Sequence, residues 1–178
     1  AMGVPLIAAT GYASDHVEEA FRRAETLCIA LDDTENLFPV RRGLWNFYLD
    51  RPDFKRGFEV AETLVKSATD ADNPEETALA HRALGSVKFM TGDFTGAQDD
   101  VETSARLFEG GHRQANPSRY GEAGGLVCLS YLGWLEFFRG KPDRGWKSSL
   151  LAHEISRDLN HPLSEAFAGS MVAMALYQ

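Results

Sequence analysis

The apolar positions of this chain recur at steps of three and four over most of its length. Val17, Ala20, Phe21, Ala24, Leu27, Cys28 and Leu31 lie on one face of a helix. Ser14 precedes it as an N-cap, with Asp15 and Glu18 in a first turn whose dipole favours carboxylates. The stripe returns in Phe54, Gly57, Phe58, Ala61, Leu64, Val65 and Ala68, and again in Leu79, Ala80, Ala83, Leu84, Val87 and Met90. It recurs in Phe94, Ala97, Val101, Ala105 and Phe108, ended by Gly110-Gly111. Asn73-Pro74-Glu75-Glu76 supplies a cap, an N1 proline and two first-turn acids. No stretch alternates with period two between turn signals, so no strand is predicted. The pattern predicts an all-α chain of about eight helices, near 15–31, 38–50, 53–68, 75–91, 94–109, 119–139, 143–159 and 162–177.

Three short turns, Arg51-Pro52-Asp53, Thr91-Gly92-Asp93 and Arg139-Gly140-Lys141-Pro142-Asp143, join antiparallel neighbours. Connections at 69–73 and 110–118 read as longer. The flanks of the short turns align. Leu44-Trp45, Leu84-Gly85 and Leu132-Gly133 precede them, and the small residues Gly57, Ala97 and Gly145 follow. Such spacing describes stacked helical hairpins in which a small residue lets the second helix close on the first. A non-repeating helical bundle is the plainer alternative.

Leu84-Gly85, Gly92-Asp93-Phe94, Ala97, and Leu132-Gly133 with Gly140 resemble the Leu-Gly, Gly-Asp-Tyr/Phe, Ala pattern of tetratricopeptide repeats. A narrower resemblance rests on Gly11-Tyr12-Ala13, Val17-Glu18, Arg23-Ala24, Leu27-Cys28, Leu37-Phe38-Pro39-Val40 and Gly43-Leu44-Trp45-Asn46-Phe47-Tyr48. It extends through His112-Arg113, Tyr120-Gly121, Val127-Cys128-Leu129-Ser130-Tyr131 and Asn160-His161-Pro162-Leu163-Ser164. These segments resemble the tetratricopeptide-like C-terminal region of bacterial multidomain proteins that carry a class III adenylate/guanylate cyclase domain and an ATPase domain. Ala123-Gly124-Gly125-Leu126 departs from the Asp-Pro-Gly-Val-like turn usual there. The resemblance implies a regulatory role beside catalytic modules that are absent from these residues.

Charge and composition narrow the function. With 18 Lys+Arg against 26 Asp+Glu, the net charge is −8. No run of cations exceeds two, which argues against a nucleic-acid surface. The longest apolar run, Met171 to Leu176, is far short of a membrane span. No signal peptide opens the chain, and two lone cysteines, Cys28 and Cys128, fit a reducing cytoplasm and a buried place in the core. Ala1-Met2 reads as a cloning remnant. Neither phosphate-loop nor dinucleotide motif is complete, and the five histidines are scattered without metal spacing. The acidic pairs Asp32-Asp33, Glu75-Glu76 and Asp99-Asp100 read as helix-end or solvated groups. Arg41-Arg42 and Arg22-Arg23 read as ion-pair participants with Glu25, Asp32 and Asp50 within reach. No catalytic, cofactor or metal site is expected.

The expected function is that of a protein-interaction or regulatory helical-repeat module, with a protein, a peptide or a neighbouring domain as partner. A small-molecule effector sensor using the same concavity is the alternative. From the tetratricopeptide pattern, the inward positions are Arg42, Asn46 and Asp50, then Arg82, Ser86 and Phe89, then Ser130, Trp134 and Phe137. Leu84 and Leu132 are expected in the core. The helix over 162–177 is apolar around much of its circumference, and Val4 to Ala9 reads as the remnant of another. The chain is therefore read as residues 3–178 of a larger array, with a tendency to form a homodimer through its terminal helices.

Overall fold

Asp33, Asp53, Asn73 and Asp93 stand twenty residues apart, and each opens a helix. In the computed structural model, residues 15–109, 124–158 and 162–176 are described. They form α1 (Asp15–Ala30), α2 (Thr34–Asp50), α3 (Phe54–Asp70), α4 (Pro74–Met90), α5 (Phe94–Glu109), α6 (Gly124–Phe138), α7 (Pro142–Asp158) and α8 (Pro162–Leu176). The side chains of Asp33, Asp53, Asn73 and Asp93 accept the backbone N–H three residues on, satisfying donors that a bare helix start leaves open.

The turns share one geometry. The last turn residue donates its N–H to a carbonyl five residues back: Asp33 to Cys28 at 2.8 Å, Asp53 to Tyr48 at 2.9 Å, Asn73 to Ala68 at 3.2 Å, Asp93 to Lys88 at 2.9 Å and Lys141 to Glu136 at 2.8 Å. The middle residue is left-handed, with φ of 53° at Asp32, 49° at Asp72, 87° at Gly92 and 75° at Gly140. Pro52 takes the same place at 23°, against the preference of its ring.

Two expectations need correcting. The second helix begins at Thr34 rather than residue 38, because Asp33 caps it, and Pro39 lies inside it. The supposed longer connection at 69–73 is the three-residue turn Ala71–Asn73, of the same kind as the rest. Residues 110–123, the N-terminal piece through Ser14, and Asn160-His161 lie outside the described residues.

The helices pair as antiparallel hairpins, α2 with α3, α4 with α5 and α6 with α7, and α8 packs on α6 and α7. The second helices bury one set of positions: Gly57, Ala61, Leu64 and Ala68 in α3; Ala97, Val101, Ser104 and Phe108 in α5; Gly145, Ser149, Ala152 and Ser156 in α7. The first helices answer with a close approach. A Cβ at Gly85 would lie 2.6 Å from Val101 Cγ2 and 3.1 Å from the Ala97 carbonyl, and one at Gly133 would lie 3.1 Å from the Gly145 carbonyl. Leu84 is buried and Leu132 half-buried, both against the main core. Because α4 is flanked by α2, α3, α5 and α6, it is buried almost all round. A smaller cluster of Val17, Leu44, Phe47 and Tyr48 seats α1. Among the described residues, no helix is long and apolar enough to cross a membrane.

Candidate functional site: the face of the first helices

Successive first helices touch: α2 meets α4, α4 meets α6, and α6 meets α8. The second helices chiefly contact their own and the following first helix. The array therefore curves with α2, α4, α6 and α8 on its inner side, the side a stacked-hairpin superhelix offers to a ligand.

Arg42 of α2 and Arg82 of α4 occupy the same place one hairpin apart. Each guanidinium carbon lies 5.0 Å from the centroid of the Trp45 ring. Both arginines are 2% exposed, so the cation–π attraction acts where water screens little. Burial lowers the pKa of Arg82, while the fields of Cys128 and Tyr131 oppose that shift. Beside them, Ser86 is fully buried and donates its hydroxyl to the Arg82 carbonyl at 2.8 Å. Tyr131 of α6 reaches this region. Burial raises its pKa, and a hydrogen bond with Ser86 and the charge of both arginines counter the rise. Asn46 is half-buried and Asp50 exposed at the outer end of α2, where neighbouring protein raises the Asp50 pKa by desolvation.

Further along, aromatic rings replace cations. Phe89 sits 5.7 Å from Tyr131, 5.7 Å from Trp134, 5.6 Å from Phe138 and 5.6 Å from Phe94. Phe94 and Phe138 stack at 5.2 Å. Trp134 is half-buried, and Phe138 is 54% exposed.

The expected positions thus divide. Arg42, Arg82, Ser86, Phe89 and Trp134 fall on one continuous strip through Trp45 and Tyr131, with Asn46 and Asp50 at its edge. Ser130 is fully buried and donates to the Leu126 carbonyl at 3.0 Å. Phe137 does not join the strip. Its ring lies over Gly145 of α7 instead, although Phe89, at the same repeat position in α4, does join it. Trp45, Tyr131 and Phe138 were not among the expected residues. Trp45 shares the repeat position of Gly85 and Gly133, which marked it as a packing residue.

The other candidate groups serve the fold. Asp100, expected at the surface, is buried between α4 and α5, 2.8 Å from His81 Nδ1 and 2.6 Å from Lys88 Nζ. Arg41 pairs with Glu25 at 2.8 Å, and Glu18 gathers Arg22, Tyr48 and Arg56 at 2.9, 2.8 and 3.2 Å. Cys28 and Cys128 are buried free thiols. Burial pushes Cys128 up to about 11, with Ser104 Oγ 3.0 Å from its sulfur, so it is protonated at neutral pH and a poor nucleophile. Among the described residues, no group of three or more His, Cys, Asp or Glu could hold a metal ion. A shallow depression on α1, lined by Glu18, Glu19, Arg22, Arg23 and Thr26, mixes charges of both signs on a single helix.

Sequence comparison finds no matching family model and no matching curated protein. Solved structures do match. BtubC (BKLC) from P. vanneervenii superposes with a TM-score of 0.69 at 16% identity, covering 90% of this chain and 64% of that one. This chain therefore spans just under two-thirds of the length of BtubC. Two structures of a kinesin light chain-like protein from Podosopora anserina, with nearly identical TPR-like repeats, give TM-scores of 0.67 and 0.66 at 14% and 13% identity. They cover 98% of this chain, which in turn covers 81% and 82% of theirs. What the chain shares with them is the fold, an all-α tetratricopeptide-like superhelix.

Proposed function

We propose that this chain is a non-catalytic interaction module that holds an extended segment of a protein partner, or of a neighbouring domain, on the inner face of α2, α4 and α6. The observation that carries the reading is the continuity of one strip across three hairpins, running from Arg42, Trp45 and Arg82 through Ser86 and Tyr131 to Phe89, Trp134 and Phe138. Backed by that strip, the accessible groups Asn46, Asp50, Trp134 and Phe138 follow the stacked first helices in line, which suits a peptide that is itself extended. Asn46, Asp50 and Trp134 are the accessible contacts on this reading, and Arg42, Arg82, Ser86, Phe89 and Ser130 hold the surface from behind. The sequence resemblance supports a setting within a larger cytoplasmic array, as the regulatory C-terminal part of a bacterial nucleotide cyclase–ATPase signalling protein.

A second reading, a small-molecule effector sensor, is favoured by one detail. Trp45 Nε1 is buried with no hydrogen-bond partner among the described residues, beside two guanidiniums. An enclosed acceptor would suit that donor.

Titration calorimetry against peptides from the flanking domains of the parent protein separates the two. On the interaction reading, Trp134→Ala with Asn46→Ala weakens peptide binding at least about tenfold, or 1.4 kcal/mol, while helical circular dichroism is unchanged. A chain that ignores peptides and domains but gains thermal stability from a metabolite collection overturns the interaction reading in favour of the sensor.

A further inference from the structure

Asp50 is a carboxylate set beside a group of aromatic rings. It is the last residue of α2, and Phe89 and Phe138 stand in the last turns of α4 and α6. Helix dipoles place partial negative charge at all three ends, where a cation is favoured. Tyr131 of α6 lies between them. Its ring is 5.7 Å from Phe89 and 6.4 Å from Trp134, and the charge of Asp50 acts on its hydroxyl. Phe89 and Tyr131 are buried and form a floor, while Asp50 and Phe138 are exposed and Trp134 is half-buried.

Neighbouring protein removes part of the water around Asp50, and desolvation alone raises its pKa. Among the described residues no lysine or arginine pairs with it. The cations of the same hairpins are engaged elsewhere. Arg42 and Arg82 stack on Trp45, and Arg51 lies 5.8 Å from the centre of the Phe47 ring. Lys88 holds Asp100, Lys141 faces Glu136, and Arg139 donates to Gln98. A partly dehydrated carboxylate without a counter-ion is a cost of the free chain that a cation arriving from outside offsets.

Taking the strip as a peptide face, as proposed above, we infer that the partner segment carries an arginine whose guanidinium pairs with Asp50 and packs against Trp134. The planar guanidinium meets both carboxylate oxygens at once and stacks on an aromatic face, which the compact ammonium of lysine does less well. The net charge of −8 draws a basic segment towards the molecule, and Asp50 gives it a fixed place to dock.

Random octapeptides passed over the immobilised chain at about 0.15 M salt, with sequencing of the retained pool, test this. Arginine is expected to be enriched at least about threefold over the input, and lysine less. For the tightest arginine peptide, Asp50→Asn in the chain and glutamine for arginine in the peptide should each weaken binding at least about fivefold by titration calorimetry. Together they should cost little more than either alone, because both remove one pairing. Asp50→Lys should shift the preferred residue to aspartate or glutamate. Glu59→Gln, which removes an exposed acid of α3, should leave binding unchanged. Equal enrichment of lysine, a loss shared by Glu59→Gln, or selection of peptides without arginine overturns the inference and leaves the peptide face standing. A chain that retains no peptide overturns both. Arginine binding that appears only after Arg113→Gln with Arg119→Gln also overturns the inference, since Asp50 then belongs to an arginine of this chain.

Discussion

Gly57 and Gly85 are both helical glycines in hairpin interfaces, yet they call for opposite substitutions. A Cβ at Gly57 would rest 3.6 Å from Tyr48 Cβ and Val87 Cγ2, an ordinary contact. Gly57→Ala should therefore raise stability by about 0.5–1 kcal/mol through helix propensity. At Gly85 the new methyl meets Val101 Cγ2 at 2.6 Å and the Ala97 carbonyl at 3.1 Å, and α4 and α5 must part. Gly85→Ala should cost about 1–3 kcal/mol despite the same gain in propensity. Urea midpoints of the two variants check this, and two shifts of the same sign would contradict the packing. The Gly85 contact was legible in the sequence, because a small residue seven positions before a turn glycine is a repeat signature. Stacking of Arg42 and Arg82 on Trp45 was not, because it needs α4 to bring Arg82 across to α2. Nor was the burial of Asp100. Adjacent residues point about 100° apart around a helix, so Asp99 is exposed while Asp100 turns inward to His81 and Lys88.

At the scale of the element, the α4–α5 hairpin is fastened by that carboxylate. Burial by itself would raise the Asp100 pKa, but the bonds to His81 and Lys88 outweigh it and hold the group below the usual carboxylate range. A depressed folded pKa means stability that is present above the unfolded value, near 4, and lost as pH falls through the folded value. Asp100→Asn should cost about 1–3 kcal/mol at pH 7 and flatten the acid limb of the stability curve relative to the original chain. Urea unfolding at intervals from pH 7 to pH 3 measures both, and an unchanged acid limb would remove Asp100 as a contributor. Most of the elements themselves were legible. The exception is informative: α2 was expected from residue 38, but Asp33 provides the N-terminal cap and the preceding turn sets the entry, so the helix starts at Thr34 and tolerates Pro39 in its second turn.

Across the whole molecule, burial is graded. Helix α4 is enclosed by four neighbours, while α1 exposes Leu27 and Ile29, the turn after it exposes Leu31, and α8 exposes Leu176. In a stacked array each hairpin is supported only by those beside it, so opening should begin at the ends. Native-state hydrogen exchange should show amides in the middle of α4 protected at least about tenfold more than those of α1 and α8. Uniform protection along the array would show that the molecule opens as one unit instead. What the sequence by itself determined was local: helical periodicity, caps such as Asn73, turn glycines such as Gly92, and the small residues that let paired helices close. Each of these acts through neighbours within a few turns of the same chain segment. Only the tertiary structure decided which side chains face one another across hairpins. It set Arg42 and Arg82 on one indole and turned Phe137 away from the strip while Tyr131 and Phe138 joined it. Those outcomes depend on the rotation and approach of helices forty or more residues apart, and that information no single helical period contains.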